Sequence, residues 1–167
     1  MEIYFFNFTN YPIEKDFFEK IIKTIFEKKL LSKDLLKKIE KLNLGVVLVG
    51  QRRIKALNKR YLGKNRVTDV LSFPQIEIKK PTKKDLQFFE GEEEKILGEI
   101  LLCPSRIRKQ ARRFKESFEK EIAHVFIHGF LHLLGFDHKD TKSTKEMRKK
   151  EKEILNSLDK LKPIKVD

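Results

Sequence analysis

The chain has 167 residues, 40% of them hydrophobic and 38% charged, with a formal net charge of +13 and a pI near 9.7. This length and composition indicate one globular domain over 1–167, and no apolar run approaches the length of a transmembrane helix. The single cysteine, Cys103, excludes an intramolecular disulfide and suits a reducing compartment, so a cytoplasmic protein is expected; the cationic excess favours a polyanionic partner, most commonly nucleic acid.

In chain order, the opening MEIYFFNFTNYP has no basic leader region or small-residue cleavage site, and 2–8 reads as a strand bounded by Asn10 and Pro12. Phe17, Phe18, Ile21, Ile22, Ile25 and Phe26 recur at helical spacing and predict a helix over 14–31. Its aromatics belong to the core rather than to a platform for unpaired bases. Ser32 is an N-cap for a short second helix toward Leu42, and GVVLVG (45–50) reads as a buried strand. QRRIKALNKRYL (51–62) predicts a helix with Ile54, Leu57 and Leu62 on one side and cations on the other, ended by Gly63.

VLSF (70–73) is a third strand stopped by Pro74, and 79–95 has the composition of a surface excursion. ILGEILLCP (96–104) is a fourth strand, followed by helices over 105–114, 116–134 and 141–160. Four strands interleaved with helices give an α+β or α/β domain with a small mixed sheet. The direct passage from the third strand to the fourth predicts one antiparallel pair.

All four histidines fall between positions 124 and 138. On a helix, residues four apart differ by only about 40° around the axis, so His128 and His132 share a face one turn apart. Gly135 then ends the helix in a left-handed turn, and the chain doubles back to deliver His138. His128, His132, Gly135 and His138 keep the offsets of the zinc-peptidase pattern H-E-x-x-H-x-x-G-x-x-H. Such spacing predicts a three-histidine metal site with an open fourth position. Cys103 is an alternative fourth ligand for an inert structural zinc, or a small buried hydrophobe. Gly129 stands where the peptidase pattern has its catalytic glutamate, which disfavours peptide hydrolysis and implies a close approach at that position. His124 either orients a ligand, contacts substrate or packs; Asp137 either bonds a liganding imidazole or caps the turn. Two basic stretches, 51–66 and 106–115, are candidate RNA surfaces or the solvated faces of helices.

HGFLHLLGFDH (128–138) resembles the signature of the YbeY-type rRNA maturation endoribonucleases. LNKRYLGKNRVTDVLSFP (57–74) is similar to a second block of that family, LGEI (97–100) to a third, and Gln110-Ala111 also fits. The resemblance implies an α+β single domain with a four-stranded mixed sheet and a metal-bearing helix similar to that of zinc peptidases. It implies one zinc ion bound by His128, His132 and His138, and a bacterial hydrolase acting in 16S rRNA 3′-end maturation and small-subunit quality control. Partners would be rRNA, the small ribosomal subunit and its associated proteins, with no membrane and no small organic cofactor. Leu62 departs from the arginine that usually precedes the GK pair, and Arg60, Lys64 or Arg66 stand near enough to supply that charge to RNA. Phe136 replaces the usual Tyr or His, and Glu99 the commoner Asp. No catalytic protein residue is assigned. Two other readings stay open: an rRNA-binding assembly factor with structural zinc, and a zinc-peptidase-like hydrolase.

Overall fold

The computed structural model describes residues 1–76, 95–158, 161, 163 and 164. In chain order these form β1 (Ile3–Asn7), α1 (Lys15–Glu27), α2 (Lys33–Ile39), β2 (Asn43–Leu48), α3 (Gln51–Leu62), β3 (Val70–Pro74), β4 (Ile96–Leu102), α4 (Pro104–Phe114), α5 (Phe118–Leu133) and α6 (Thr141–Ser157). The expected excursion over 79–95 lies, up to position 94, outside the described residues, as do positions 159 and 160 of the expected last helix.

The strand order is β1-β2-β4-β3. β1–β2 and β2–β4 are parallel, and β3–β4 is the one antiparallel pair, so the sheet is mixed as expected for an α+β domain. Boundaries differ from the sequence reading where local signals are overridden. α1 stops at Glu27, because Lys29 turns left-handed (φ 50°) and directs the chain toward α2. Ser32 caps α2 as expected, its hydroxyl accepting from Leu35 N at 3.4 Å. β2 starts two residues early because Asn43 N donates to Lys95 O at 2.8 Å, extending the pairing with β4. Pro104, at the first turn of α4 where its missing N–H costs nothing, ends β4 sooner than the apolar run suggests.

Side chains alternate across the strands, so each face of the sheet has its own core. One face packs Ile3, Leu44, Val46, Ile100 and Leu102 against α1, α5 and α6, with Phe18, Phe126 and Phe130 fully buried among them. Phe17 and Phe26 are half-buried against the same core. The other face carries a smaller cluster of Val49, Leu71, Leu101 and Cys103 under Ile54 and Leu57 of α3. Thus α5, with its histidines, and α3, with its cations, cover opposite faces. α5 sits close to the sheet through Gly129: a Cβ there would lie 2.9 Å from Ser72 Oγ and 3.0 Å from Ile100 Cγ2. Ser72 Oγ instead donates to the Gly129 carbonyl at 3.1 Å.

Candidate metal centre

α5 begins at Ser117, whose hydroxyl accepts from Lys120 N at 3.2 Å. The helix is buried on nearly every side; the partly open stripe carries His124, His128 and His132 at successive turns. At its C-terminus Gly135 adopts φ 86°. Gly135 N donates to His132 O and Phe136 N to Leu131 O, both at 3.0 Å. These are the two bonds of a Schellman motif, and they send the chain back over the helix end. His138 consequently returns to within 5.4 Å of His128 and 5.3 Å of His132, measured between ring centroids. One ring nitrogen from each of the three histidines falls within 4.8 Å of the others.

Hydrogen bonds determine which nitrogens face inward. His128 Nδ1 lies 2.6 Å from Glu151 Oε1, and an ionised carboxylate can only accept. His132 Nδ1 donates to the Phe136 carbonyl at 2.9 Å. With Nδ1 of each ring engaged by these acceptors, the two Nε2 atoms face each other across 3.1 Å. Two lone pairs at that separation repel unless a cation or an extra proton lies between them. Neutral imidazole nitrogens converging on one point, with a third imidazole beside them, are the donor set that zinc and related divalent ions take. The chemistry of the residues fits a metal.

Glu151 reaches the site from α6, whose start is held by an Asp140–Ser143 capping box. Burial raises its pKa, but His124 and His128 outweigh burial and hold the carboxylate down at about 2. Its Oε2 lies 3.8 Å from His124 Nε2. Glu151 raises the pKa of His124 against the opposing effect of burial. His132 is pushed down by burial and by neighbouring His128, with the Phe136 hydrogen bond working the other way. A carboxylate behind a liganding imidazole fixes its tautomer and ring orientation and makes it a stronger donor. Sequence reasoning missed Glu151. The signal was present: Met147, Glu151 and Ile154 share the buried stripe of α6, and the middle one is charged.

The remaining open roles resolve differently. Asp137 accepts from Lys139 N at 3.2 Å and pairs with Lys139 Nζ at 3.2 Å, so it belongs to the turn. His124 lies outside the group of three and is bracketed by Glu151 and Glu121. Cys103 is buried in the core beneath α3, its Sγ 3.5 Å from Ser105 Oγ, and is no fourth ligand. A side chain at 129 would meet the sheet rather than the histidines, so the missing glutamate has no place in this packing.

A family model described as endoribonuclease YbeY matches residues 5–159. The chain belongs to this family. Relatives named endoribonuclease YbeY include those of Thermodesulfovibrio yellowstonii, 38% identical with 84% of this chain and 83% of that one covered, and Bacillus subtilis, 31% identical with 82% and 94% covered. The solution structure of a Thermotoga maritima protein aligns with TM-score 0.59 and 30% identity, covering 93% of this chain and 88% of that one.

Leu62 is 55% exposed at the end of α3, and the loop after it runs to Asp69, whose charge raises the pKa of both His124 and Glu121. Arg60 at the end of α3 and Lys64 and Arg66 in the loop after it are all exposed, with the Arg60 guanidinium 5.6 Å from the Tyr61 ring centroid. Among the described residues, none of the three cations bonds a histidine. No described helix is long and apolar enough to cross a membrane.

Proposed function

We propose that this chain is a zinc-dependent, cytoplasmic endoribonuclease that cuts single-stranded RNA in 16S rRNA 3′-end maturation and small-subunit quality control. His128, His132 and His138 hold one ion, and Arg60, Lys64 and Arg66 contact RNA phosphates. The observation that carries the reading is the convergence of His128, His132 and His138, with two Nε2 atoms 3.1 Å apart, in a chain of the endoribonuclease YbeY family. The net charge of +13 supports an RNA partner.

When bound, zinc in a three-histidine site supplies Lewis acidity toward a phosphoryl oxygen or an attacking water. The chain's own residues do the rest. Glu151 and the Phe136 carbonyl hold the Nδ1 protons of His128 and His132, which keeps both rings in the donor tautomer. Glu151 also brings a negative charge behind the site. Arg60, at the end of α3, and Lys64 and Arg66 in the loop after it would hold RNA phosphates by charge. Gly129 and the distant Cys103 argue against the two alternatives, a peptidase and a structural-zinc assembly factor.

The test is cleavage of a small-subunit rRNA 3′-end precursor by protein as isolated, after chelation, and after zinc add-back, beside His132→Ala. Metal-restored cutting that the variant lacks is expected. A folded wild type that binds RNA and zinc yet never cuts would overturn the reading. Product ends identify the nucleophile: a 2′,3′-cyclic phosphate marks attack by the RNA 2′-OH.

A further inference from the structure

α3 covers its face of the sheet only partly. β1 is an edge strand, and Phe6 and Phe8 extend from it on the α3 side, 57% and 59% exposed. Phe5, the residue before them, points the other way and packs against Phe18 in the main core. The two exposed rings are parallel to within 8°, with centroids 6.4 Å apart, and the Arg53 guanidinium lies 5.1 Å from the Phe8 centroid. Their backbone is pinned. Phe8 N donates to Leu48 O at 3.0 Å, and Asn7 Oδ1 accepts from Thr9 N at 3.0 Å and from its hydroxyl at 2.7 Å. The main chain that carries both rings is therefore anchored.

Two exposed rings side by side form a contiguous apolar patch, the kind of surface that marks an interaction site. The surrounding charge says which kind. α3 carries Arg52, Arg53, Lys55, Lys59 and Arg60 and not one carboxylate. A second copy docking face to face would bring these same cations against themselves, whereas a polyanion is attracted. At the far end of α3 the Tyr61 ring is 56% exposed and braced edge-on by Phe73 at 5.1 Å, with Arg60 beside it. Aromatic faces bordered by a cationic track are the pattern that binds single strands, because every base has a π face and every nucleotide a phosphate.

We propose that Phe6, Phe8 and Arg53 form a stacking platform for unpaired bases of single-stranded RNA, with the α3 cations holding phosphates between it and Tyr61. This deepens the nuclease reading and rests on its RNA substrate; the platform lies across the sheet from the histidines and serves binding, not bond cleavage.

The test measures binding of full-length protein to a short labelled oligouridine and to a duplex RNA of equal length. Replacing both rings (Phe6→Ala with Phe8→Ala) should weaken single-strand binding about tenfold or more, with duplex binding nearly unchanged. The Phe→Tyr pair should bind like wild type and the Phe→Leu pair like the Ala pair. In cleavage assays the Ala pair should raise KM and leave kcat and zinc dependence intact. Unchanged single-strand affinity overturns the platform, as does full rescue by leucine, which would show plain apolar contact. A wild-type dimer that the Ala pair dissociates would make the patch an interface between copies and also overturn it. In each of those cases metal-dependent cutting persists; a wild type that binds no single-stranded RNA would instead sink the nuclease reading.

Discussion

Two helices on opposite faces of one sheet, α5 and α3, solve different problems. On α5 each working polar atom has one assigned partner at short range, 2.6 Å for His128 Nδ1 and 2.9 Å for His132 Nδ1, inside a helix otherwise buried. On α3 the cations are exposed, and the one buried polar side chain, Asn58, serves the backbone by donating to Arg66 O at 2.8 Å. A metal needs converging, desolvated donors whose loss is all-or-none. A polyanion needs a field, to which each charge adds a little. Variants of α5 and its partners should therefore act steeply and individually, and variants of α3 weakly and additively.

The steepest effect is expected at His138, the one member of the trio outside the helix and exposed. His138→Ala should reduce zinc affinity by more than the 10–100-fold typical of losing an outer partner. Because the ring is exposed, the metal-free protein should melt as wild type does. Calorimetric titration with zinc and a thermal melt of the chelated protein check both halves; equal melting loss with and without metal would mean that the ring is structural.

Glu151→Gln comes next, with zinc affinity down about 10–100-fold while the trio itself is intact. Its effect on the metal-free fold has a defined pH window. The carboxylate's pKa is lowered from 4.5 to about 2 by folding, so its stabilisation is complete above pH 4.5 and lost as pH falls toward 2. His124 is raised above 6.5, so its share is complete below that pH and fades as pH rises through the folded value. Between these limits the variant should cost about 1–2 kcal/mol, allowing for solvent screening of the partly open site. Denaturation at several pH values should show the cost shrinking on both sides; a pH-independent cost would contradict the ion pair.

Gly129→Ala tests the fit of α5 to the sheet. Alanine improves helix propensity by up to about 1 kcal/mol, but overpacking costs about 1–3 kcal/mol. The new Cβ would be 3.1 Å from Val70 Cγ2 as well as 2.9 Å from Ser72 Oγ. A net loss near 1 kcal/mol is expected by chemical denaturation; a gain would show that α5 is free to move away from β3.

What was legible in the chain follows the same division between local and long-range. The histidine trio was readable because one helix and its own C-terminal turn contain it, and spacing alone brings the rings together. Glu151 was not, since 23 residues and a second helix separate it from His128, and only tertiary packing joins them. The mixed sheet with one antiparallel pair followed from the order of elements. Strand ends did not, because Asn43 joins β2 through a bond to Lys95 that no local pattern announces. The cationic side of α3 was plain from its lack of carboxylates. The exposure of Phe6 and Phe8 was hidden, because an aromatic-rich strand reads as core until its place at the sheet edge is known.

The smallest effects belong to the end of α3 and the loop after it, and their smallness is the point. Each of Arg60→Ala, Lys64→Ala and Arg66→Ala should weaken single-strand RNA binding by a few-fold at moderate salt, and should flatten the log–log salt slope by about 0.7, the release expected for one phosphate contact. The three should add, because among the described residues no hydrogen bond or ion pair joins their exposed side chains. Leu62→Arg runs the comparison in reverse. Leu62 is 55% exposed, so an arginine fits there without strain. With three cations already flanking it, a fourth should steepen the slope by about the same 0.7 and change kcat by less than about threefold. A jump in kcat far beyond that, with the slope barely moved, would mean that this position acts on the reacting phosphate directly, and the steep, directional behaviour assigned to α5 would then extend to the end of α3.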